Sequence, residues 1–300
     1  MSLVSFVKIN KKTLNPLKQA IVDSLNLINY RFPSKLKKIV IKPNMCYYWD
    51  CSTGQTTDPR FVAALIEILR EKASPDVEIS IVESDASAMK CKHAFKFLGY
   101  ERLLQEYNVG LVNLSEEKCE PFEVTAGGQP FHIMVPCIIQ NADLRINVTK
   151  IKYAMEKIKI TCALKNIFGC NPYPKKFRYH SKLNEAIVAI NKPMNFDLCL
   201  IDSNIAFGSQ VRRMGLSMAS EDSVAIDSAA AIIAGVNPNT VGYIKLAHKE
   251  GLGDMHFVPA GLPIDYFKAR YPRKDARKKL MSKAFNMVNL LKLGKKLGLE

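Results

Sequence analysis

The alternation of short β-branched runs with longer amphipathic runs constrains the fold of this chain more than any other feature. Residues 37–43 (KKIVIKP) and 76–84 (DVEISIVES) are typical of strands, and residues 59–72 between them carry apolar side chains at helical spacing. Asp58 can cap that helix, and Pro59 can occupy its first position. Strands that alternate with helices in this way pair in parallel, because a parallel connection needs a crossover segment.

The same alternation continues along the chain. Further strands are predicted at 109–114, 143–148 and 197–202, and further helices at 94–107, 158–168, 182–192 and 223–235. Residues 119–139 interrupt it with short extended pieces around Gly127-Gly128, which predicts an antiparallel hairpin. We therefore predict an α/β fold: a mostly parallel central sheet with helices on both faces and a small antiparallel insertion. Residues 1–265 are expected to form a single domain.

Positive charge is concentrated towards the C-terminal end. The formal net charge is +15, and residues 266–300 contain 11 Lys and Arg against two acidic residues, so this segment supplies +9. Apolar side chains share one helical face there: Leu280, Ala284, Met287, Val288 and Leu291. A basic amphipathic C-terminal helix is therefore predicted. We expect residues 274–298 to pack against the body of the protein, a second subunit or an anionic membrane surface.

The first residues and the cysteines bear on the cellular compartment. The opening MSLVSFVKIN lacks the apolar core of a signal peptide, and no uncharged run is long enough to span a bilayer. Eight cysteines are scattered without the spacing of a zinc site. These features predict reduced thiols in a cytoplasmic protein that is either soluble or peripheral to a membrane.

Lysines and asparagines follow the predicted strands at the points where a ligand site is expected. Lys42 and Asn44 end one strand, Lys152 follows another, and Lys165 and Asn166 lie on the next helix. In an open α/β sheet the ligand crevice lies outside the carboxyl ends of the strands. Ammonium groups that converge there suit a carboxylate or a phosphate. The alternative for each lysine alone is a solvated side chain, and for each asparagine a turn cap.

A basic aromatic loop at residues 171–180 ends in His180. An imidazole beside the crevice could transfer protons near neutral pH, so His180 and Lys165 are the predicted catalytic residues. Simple packing is the alternative for this histidine. Asp202 and Asp227, at a strand end and a helix start, could hold a divalent metal or form ion pairs with the lysines. No other cofactor is indicated.

Several of these motifs together resemble the family called domain of unknown function 362. The resemblance covers about residues 38–253 and is carried by the following residues and segments: Lys42-Pro43-Asn44, Thr56-Thr57-Asp58-Pro59, Gly99-Tyr100, Lys152, Thr161, the run from Leu164 to Gly169, His180, Ile201-Asp202, the run from Val224 to Asp227, and Gly251-Leu252-Gly253. The chain departs from the family pattern at Tyr153-Ala154, where a Lys-x-His sequence is usual. Arg212 and Arg213 likewise replace a turn rich in glycine and proline.

The resemblance implies an uncharacterised α/β protein. Some relatives carry a ferredoxin-like cluster segment, but this chain has no closely spaced four-cysteine run, so an iron-sulfur cluster is not predicted. The leading hypothesis is an enzyme with a small anionic substrate and an unassigned reaction. One alternative is a nucleic-acid-binding protein that uses loop 171–180 and the basic tail. The other is a redox protein related to the iron-sulfur members of the family.

Overall fold

The computed structural model describes residues 1–10, 15–72, 76–154 and 157–274, apart from the side chains of Phe177 and His180. Its strands are β1 (Ser2–Lys8), β2 (Lys38–Pro43), β3 (Glu78–Glu83), β4 (Gly110–Asn113), β5 (Cys119–Ala126), β6 (Gln129–Pro136), β7 (Leu144–Thr149), β8 (Lys152–Tyr153), β9 (Ile160–Thr161), β10 (Leu198–Phe207), β11 (Val211–Ser220) and β12 (Phe257–Gly261). The predicted C-terminal helix lies outside the described residues from residue 275 onward.

The helices alternate with these strands along most of the chain. They are α1 (Pro16–Leu27), α2 (Pro59–Lys72), α3 (Cys91–Phe97), α4 (Glu101–Tyr107), α5 (Cys137–Gln140), α6 (Ala163–Ile167), α7 (Leu183–Met194), α8 (Ser223–Ile233), α9 (Gly242–Lys249) and α10 (Ile264–Lys268). Short 3-10 helices cover Cys51–Thr53, Phe168–Cys170, Lys176–Lys182 and Pro238–Thr240. In the described part of the chain, no helix is long and apolar enough to cross a membrane.

The large sheet has eight strands in the order β12-β1-β11-β10-β7-β2-β3-β4. Strand β11 pairs antiparallel with both β1 and β10, and the other neighbouring pairs are parallel. All strands of this sheet except β11 therefore point the same way. The predicted mostly parallel α/β fold is confirmed.

Both faces of the sheet are covered by helices. Ile39 and Ile41 of β2 pack in one core cluster with Leu65 of α2, whereas Val40 between them packs in a second cluster with Ile187 of α7. Successive side chains of a strand point to opposite faces, so a strand that is buried on both faces needs apolar residues at consecutive positions. This requirement explains the unbroken apolar run IVI in β2.

The predicted hairpin is present as strands β5 and β6, which pair antiparallel. Gly127 and Gly128 join them with φ angles of +58° and +71°. Positive φ at both central positions is what a tight two-residue hairpin turn requires. The hairpin lies against α7, and Lys192 Nζ donates to the Thr125 carbonyl at 2.6 Å.

Three predicted elements have different bounds in the structure. The helix expected at 94–107 is two helices, because Gly99 adopts a φ of +81° between them. The helix expected at 158–168 begins only at Ala163, since Ile160–Thr161 pairs with β8. The strand expected at 197–202 continues to Phe207, where it forms a hairpin with the unpredicted β11. In each case a turn or a pairing partner that periodicity does not report decides the boundary.

The segment between β2 and α2 runs across the carboxyl end of the sheet. Asp58 caps α2 as predicted, and its carboxylate accepts from the Arg60 N–H at 2.9 Å. Within the segment Gly54 has a φ of +74°, and a Cβ at that position would lie 2.7 Å from the carbonyl carbon of Ala206 in β10. The absence of a side chain at Gly54 therefore lets this segment approach β10 closely.

We expect Gly54→Ala to lower the free energy of unfolding by about 2–4 kcal/mol, since it combines left-handed backbone strain with a clash against backbone. Gly235→Ala is the matched control, because Gly235 has a similar φ of +71° but open space around its missing Cβ. That control should cost only about 1 kcal/mol. Urea unfolding of both variants measures the difference, and equal losses would show that the contact with β10 is unimportant.

Candidate functional site

A cavity of about 740 Å³ lies at the carboxyl ends of β2, β3 and β7. Its walls come from the segment after β2, from β8, from α6 and from the chain that follows α6. Among the described residues, six lysines line it: Lys42, Lys150, Lys152, Lys165, Lys176 and the exposed Lys274. The predicted substrate-binding residues Lys42, Asn44, Lys152 and Asn166, and the predicted catalytic Lys165, all line this cavity.

Lys42 is held by a buried carboxylate. Its ammonium lies 2.8 Å from Glu83 Oε2 and donates to the Pro43 carbonyl at 2.7 Å. The other carboxylate oxygen, Glu83 Oε1, accepts from the Ser84 N–H at 2.9 Å. Because the pair joins the ends of the adjacent strands β2 and β3, it forms part of the wall of the cavity. A direct contact of Lys42 with substrate stays a prediction.

Lys150 is neutralised in the same way. Its ammonium lies 3.2 Å from Asp202 Oδ2, and both side chains are buried. The same carboxylate oxygen accepts from the Asp58 N–H at 2.9 Å. The Asp202 side chain thus has the lysine partner that was the alternative to metal binding. Neither Lys150 nor Glu83 was selected from the sequence, because only the folded chain shows which charges pair.

A chain of side-chain amides supports Lys152. Its ammonium donates to Asn44 Oδ1 at 2.6 Å, and Asn44 Nδ2 donates to Asn166 Oδ1 at 2.9 Å. Asn166 then donates to Asn147 Oδ1 at 2.8 Å, and Asn147 donates to the Ala163 carbonyl at 3.0 Å. Each amide fixes the orientation of the next one. Asn147 was not among the predicted site residues, because its position on β7 next to β2 is a result of strand order.

Apart from the exposed Lys274, three lysines of the cavity differ from Lys42 and Lys150 because no described carboxylate lies within ion-pair distance of them. Lys152 donates to amide and backbone oxygens, and Lys176 donates to Ser84 Oγ and to the Asp85 carbonyl. The Lys165 ammonium lies over the Phe168 ring, 4.3 Å from its centroid, without a hydrogen bond to any described residue. We call Lys152, Lys165 and Lys176 the unpaired lysines. Lys176 was not among the predicted site residues.

The unpaired lysines have lowered pKa values. Burial and, to a smaller extent, the nearby charges of Lys152 and Lys176 together lower the pKa of Lys165 to about 8. Burial likewise lowers the pKa of Lys152 and of Lys176. An ammonium that is removed from water without a counterion loses hydration that neutral partners replace only in part, so its neutral form is favoured. A pKa near 8 gives Lys165 a substantial neutral fraction at mildly basic pH.

Asp227 anchors the helix that presents Lys165 and Asn166. Its buried carboxylate accepts from the backbone N–H groups of Ala163 (2.5 Å) and Leu164 (3.2 Å). Burial raises the pKa of Asp227 to about 7, although these hydrogen bonds act in the opposite direction. Asp227 therefore binds the start of α6, whereas Asp202 binds Lys150 and the backbone of Asp58. Within the described residues, no group of three or more His, Cys, Asp or Glu side chains could hold a metal ion, and the metal role stays a prediction.

The loop after α6 packs partly on itself. The Arg178 guanidinium lies over the rings of Tyr173 and Tyr179, 5.0 Å and 5.2 Å from their centroids. Tyr179 in turn packs edge-on against Phe168. The backbone of His180 belongs to the 3-10 helix Lys176–Lys182, but its side chain lies outside the described residues. Its catalytic role therefore stays a prediction.

Lys42→Met and Lys165→Met should affect stability in opposite ways. Lys42→Met leaves Glu83 buried without its partner, which should lower the free energy of unfolding by about 3–5 kcal/mol. Lys165 has a folded pKa below its ordinary value of 10.5, so below about pH 8 its charge disfavours the folded state. Removing that charge should leave stability at pH 7 unchanged or raise it by about 1 kcal/mol. The gain should fade between pH 8 and 10.5.

Chemical denaturation of both variants at pH 7 and pH 10 measures this contrast. A large loss of stability in Lys165→Met would show that Lys165 is structural and would remove it from the site.

The titration of Lys165 can be observed directly. In a ¹³C-lysine-labelled protein, its side-chain resonance should titrate with a midpoint at about pH 8, and Lys165→Met assigns that resonance. Lys18 is the control, because its hydrogen bond with Glu71 raises its pKa above the ordinary value. A Lys165 midpoint close to that of Lys18 would mean that Lys165 is solvated or paired.

Comparison with known proteins finds a family match, a relative of similar sequence and solved structures of low sequence identity. The family described as Domain of unknown function (DUF362) matches residues 39–232. The thylakoid-associated protein sll1697 of Synechocystis sp. is 24% identical over 229 residues, which cover 72% of this chain and 68% of that protein.

Two solved structures are similar at low identity. The lactate racemase apoprotein from Thermoanaerobacterium thermosaccharolyticum has a TM-score of 0.44 and 12% identity, over 79% of this chain and 58% of that chain. A Thermotoga maritima protein has a TM-score of 0.38 and 14% identity, over 65% of this chain and 51% of that one. This chain thus spans little more than half of either protein, and neither likeness bears on function. Because the family match covers well over half of its residues, the chain belongs to the domain of unknown function 362 family.

Proposed function

We propose that this protein is an enzyme that binds a small anionic substrate, a carboxylate or a phosphate, in the cavity at the carboxyl ends of β2, β3 and β7. The observation that carries this proposal is the uncompensated charge of the unpaired lysines. Lys42 and Lys150 each have a buried carboxylate partner, so the site does pair lysines where their role is structural. The unpaired lysines have the same need for a counterion, and an anionic ligand would meet it.

The three ammonium groups reach the cavity from different elements. Lys152 comes from β8, Lys165 from α6, and Lys176 from the 3-10 helix Lys176–Lys182. Three positive groups on separate elements can contact an anion from several sides. Hydrogen bonds to charged groups contribute about 1.5–3 kcal/mol each. The amide chain through Asn44 and Asn166 would hold Lys152 in place for such a contact.

Lys165 is the proposed proton-transferring group. Its pKa of about 8 lies about one unit above neutral pH, and a group of that kind can donate or accept a proton at a bound substrate. A bound anion would raise this pKa by favouring the ammonium form, so binding near pH 8 should take up protons. His180 is the second proposed catalytic residue, and the reaction type stays open.

The alternative functions have less support. In the aromatic basic loop, Arg178 covers the rings of Tyr173 and Tyr179, which leaves those rings less free to stack on bases. The sequence lacks the four-cysteine spacing of a ferredoxin-like cluster. We therefore propose neither nucleic-acid binding nor a redox function.

The cellular location is a further proposal. A cytoplasmic protein whose residues 274–298 contact an anionic membrane surface or a second subunit fits the basic C-terminal sequence. The name of the Synechocystis relative, a thylakoid-associated protein, supports membrane association.

Anion binding can be tested by thermal unfolding with inorganic phosphate and with succinate at millimolar concentrations. A ligand at a hundred times its Kd stabilises the folded state by about 2.7 kcal/mol, so the melting temperature of the wild type should rise. Lys165→Met should abolish this rise without lowering the melting temperature of the free protein. Lys245→Met, which changes an exposed lysine on α9, should behave as the wild type does. Equal stabilisation of all three proteins would place the anion elsewhere and contradict the proposal.

A further inference from the structure

One wall of the cavity carries two half-exposed aromatic rings. Tyr47 and Trp49 expose 47% and 48% of their surface, and both line the cavity. Their ring centroids lie 5.6 Å apart at an interplanar angle of 55°. We call these two residues the aromatic rim. Exposed rings beside a cavity are available to a ligand, whereas rings that serve the core are buried.

The residue between them shows a structural use of an aromatic ring. Tyr48 turns away and packs edge-on against Phe97 at 5.6 Å, and its hydroxyl accepts from the Lys90 N–H at 2.8 Å. Side chains alternate in direction over these three residues, so Tyr47 and Trp49 lie on the cavity side. Tyr47 has a φ of +53°, which is rare for a bulky residue and costs on the order of 1 kcal/mol. The backbone therefore holds an unfavourable conformation while it presents these two rings.

The cavity is larger than a simple anion needs. Its volume of about 740 Å³ falls within the range of about 300–1,000 Å³ for sites that bury drug-sized ligands. Apolar side chains form much of the remaining lining, among them Met45, Met89 and Phe168. The unpaired lysines are more buried than the rim. The site thus combines partly buried ammonium groups with buried apolar side chains and a more exposed aromatic rim.

We propose that the ligand is an aryl anion, in which a carboxylate or phosphate is joined to a flat apolar ring system. The anionic group contacts the unpaired lysines, and the ring lies against Tyr47 and Trp49. This inference rests on the proposed function, because it assumes that the lysines bind an anion. It adds the class of substrate: a bare phosphate or a short carboxylate would leave the rim and the methionines without contacts.

The chain offers a direct probe, because Trp49 is its single tryptophan. Calorimetric titration of the full-length protein with inorganic phosphate, cyclohexyl phosphate, phenyl phosphate and 1-naphthyl phosphate measures Kd with a constant head group. The Kd should fall by about tenfold or more from inorganic phosphate to 1-naphthyl phosphate. Phenyl phosphate should bind more tightly than cyclohexyl phosphate and should change the Trp49 emission.

Variants show which residues contact the ring of the ligand. In Trp49→Ala, the aryl phosphates should lose most of their affinity advantage over inorganic phosphate, whereas the Kd for inorganic phosphate should change little. Leu104→Ala, which removes an exposed apolar side chain of α4 that does not line the cavity, should keep the tighter binding of the aryl phosphates. Lys165→Met should weaken binding of the whole series.

The outcomes separate the two proposals. If inorganic phosphate binds and the aryl phosphates bind no more tightly, the aryl inference is wrong and the anion site stands. If no phosphate of the series binds to the wild type and succinate does not stabilise it either, the proposed function fails and the aryl inference fails with it. If Trp49 emission responds to vesicles containing anionic lipid but not to phenyl phosphate, the rim is a membrane contact and the aryl inference is wrong.

Discussion

Parallel pairing in the large sheet places the carboxyl ends of β10, β7, β2 and β3 along one edge, and the candidate site depends on this constraint. Residues at these ends are far apart in sequence but become neighbours, as Lys42 and Glu83 do across β2 and β3. The helices that connect the strands cover both faces of the sheet. The edge is therefore the place where polar side chains can collect around a cavity without disrupting the core.

Charge balance divides the lysines of this edge into two groups. Lys42 and Lys150 are buried against Glu83 and Asp202, and such pairs are costly to break because the remaining charge stays out of water. The unpaired lysines have only neutral partners among the described residues. Keeping like charges together in a half-buried site costs stability, as the lowered pKa values indicate. That arrangement is understandable if a ligand supplies the missing negative charge.

The repeating features of the fold could be predicted from the sequence. Apolar periodicity identified β2, α2 and β3, and the Gly127-Gly128 pair identified the hairpin, because these signals are local. Element ends were less predictable. Gly99 divides a predicted helix, and β11 was missed because its polar end with Arg212 and Arg213 hides the strand pattern. Pairing with β10 stabilises that strand, and pairing is a long-range property.

The site shows the same division. The sequence by itself determined that Lys42, Asn44, Lys152, Lys165 and Asn166 follow strands or lie on the next helix, and strand direction then brings them to one cavity. Only the tertiary structure decided which of these groups are neutralised and which are not. Glu83, Asn147 and Lys176 became part of the site through strand order and the path of the chain after α6. Sequence periodicity reports which face a residue occupies, whereas the partner of a charge depends on distances between segments that are remote in the chain.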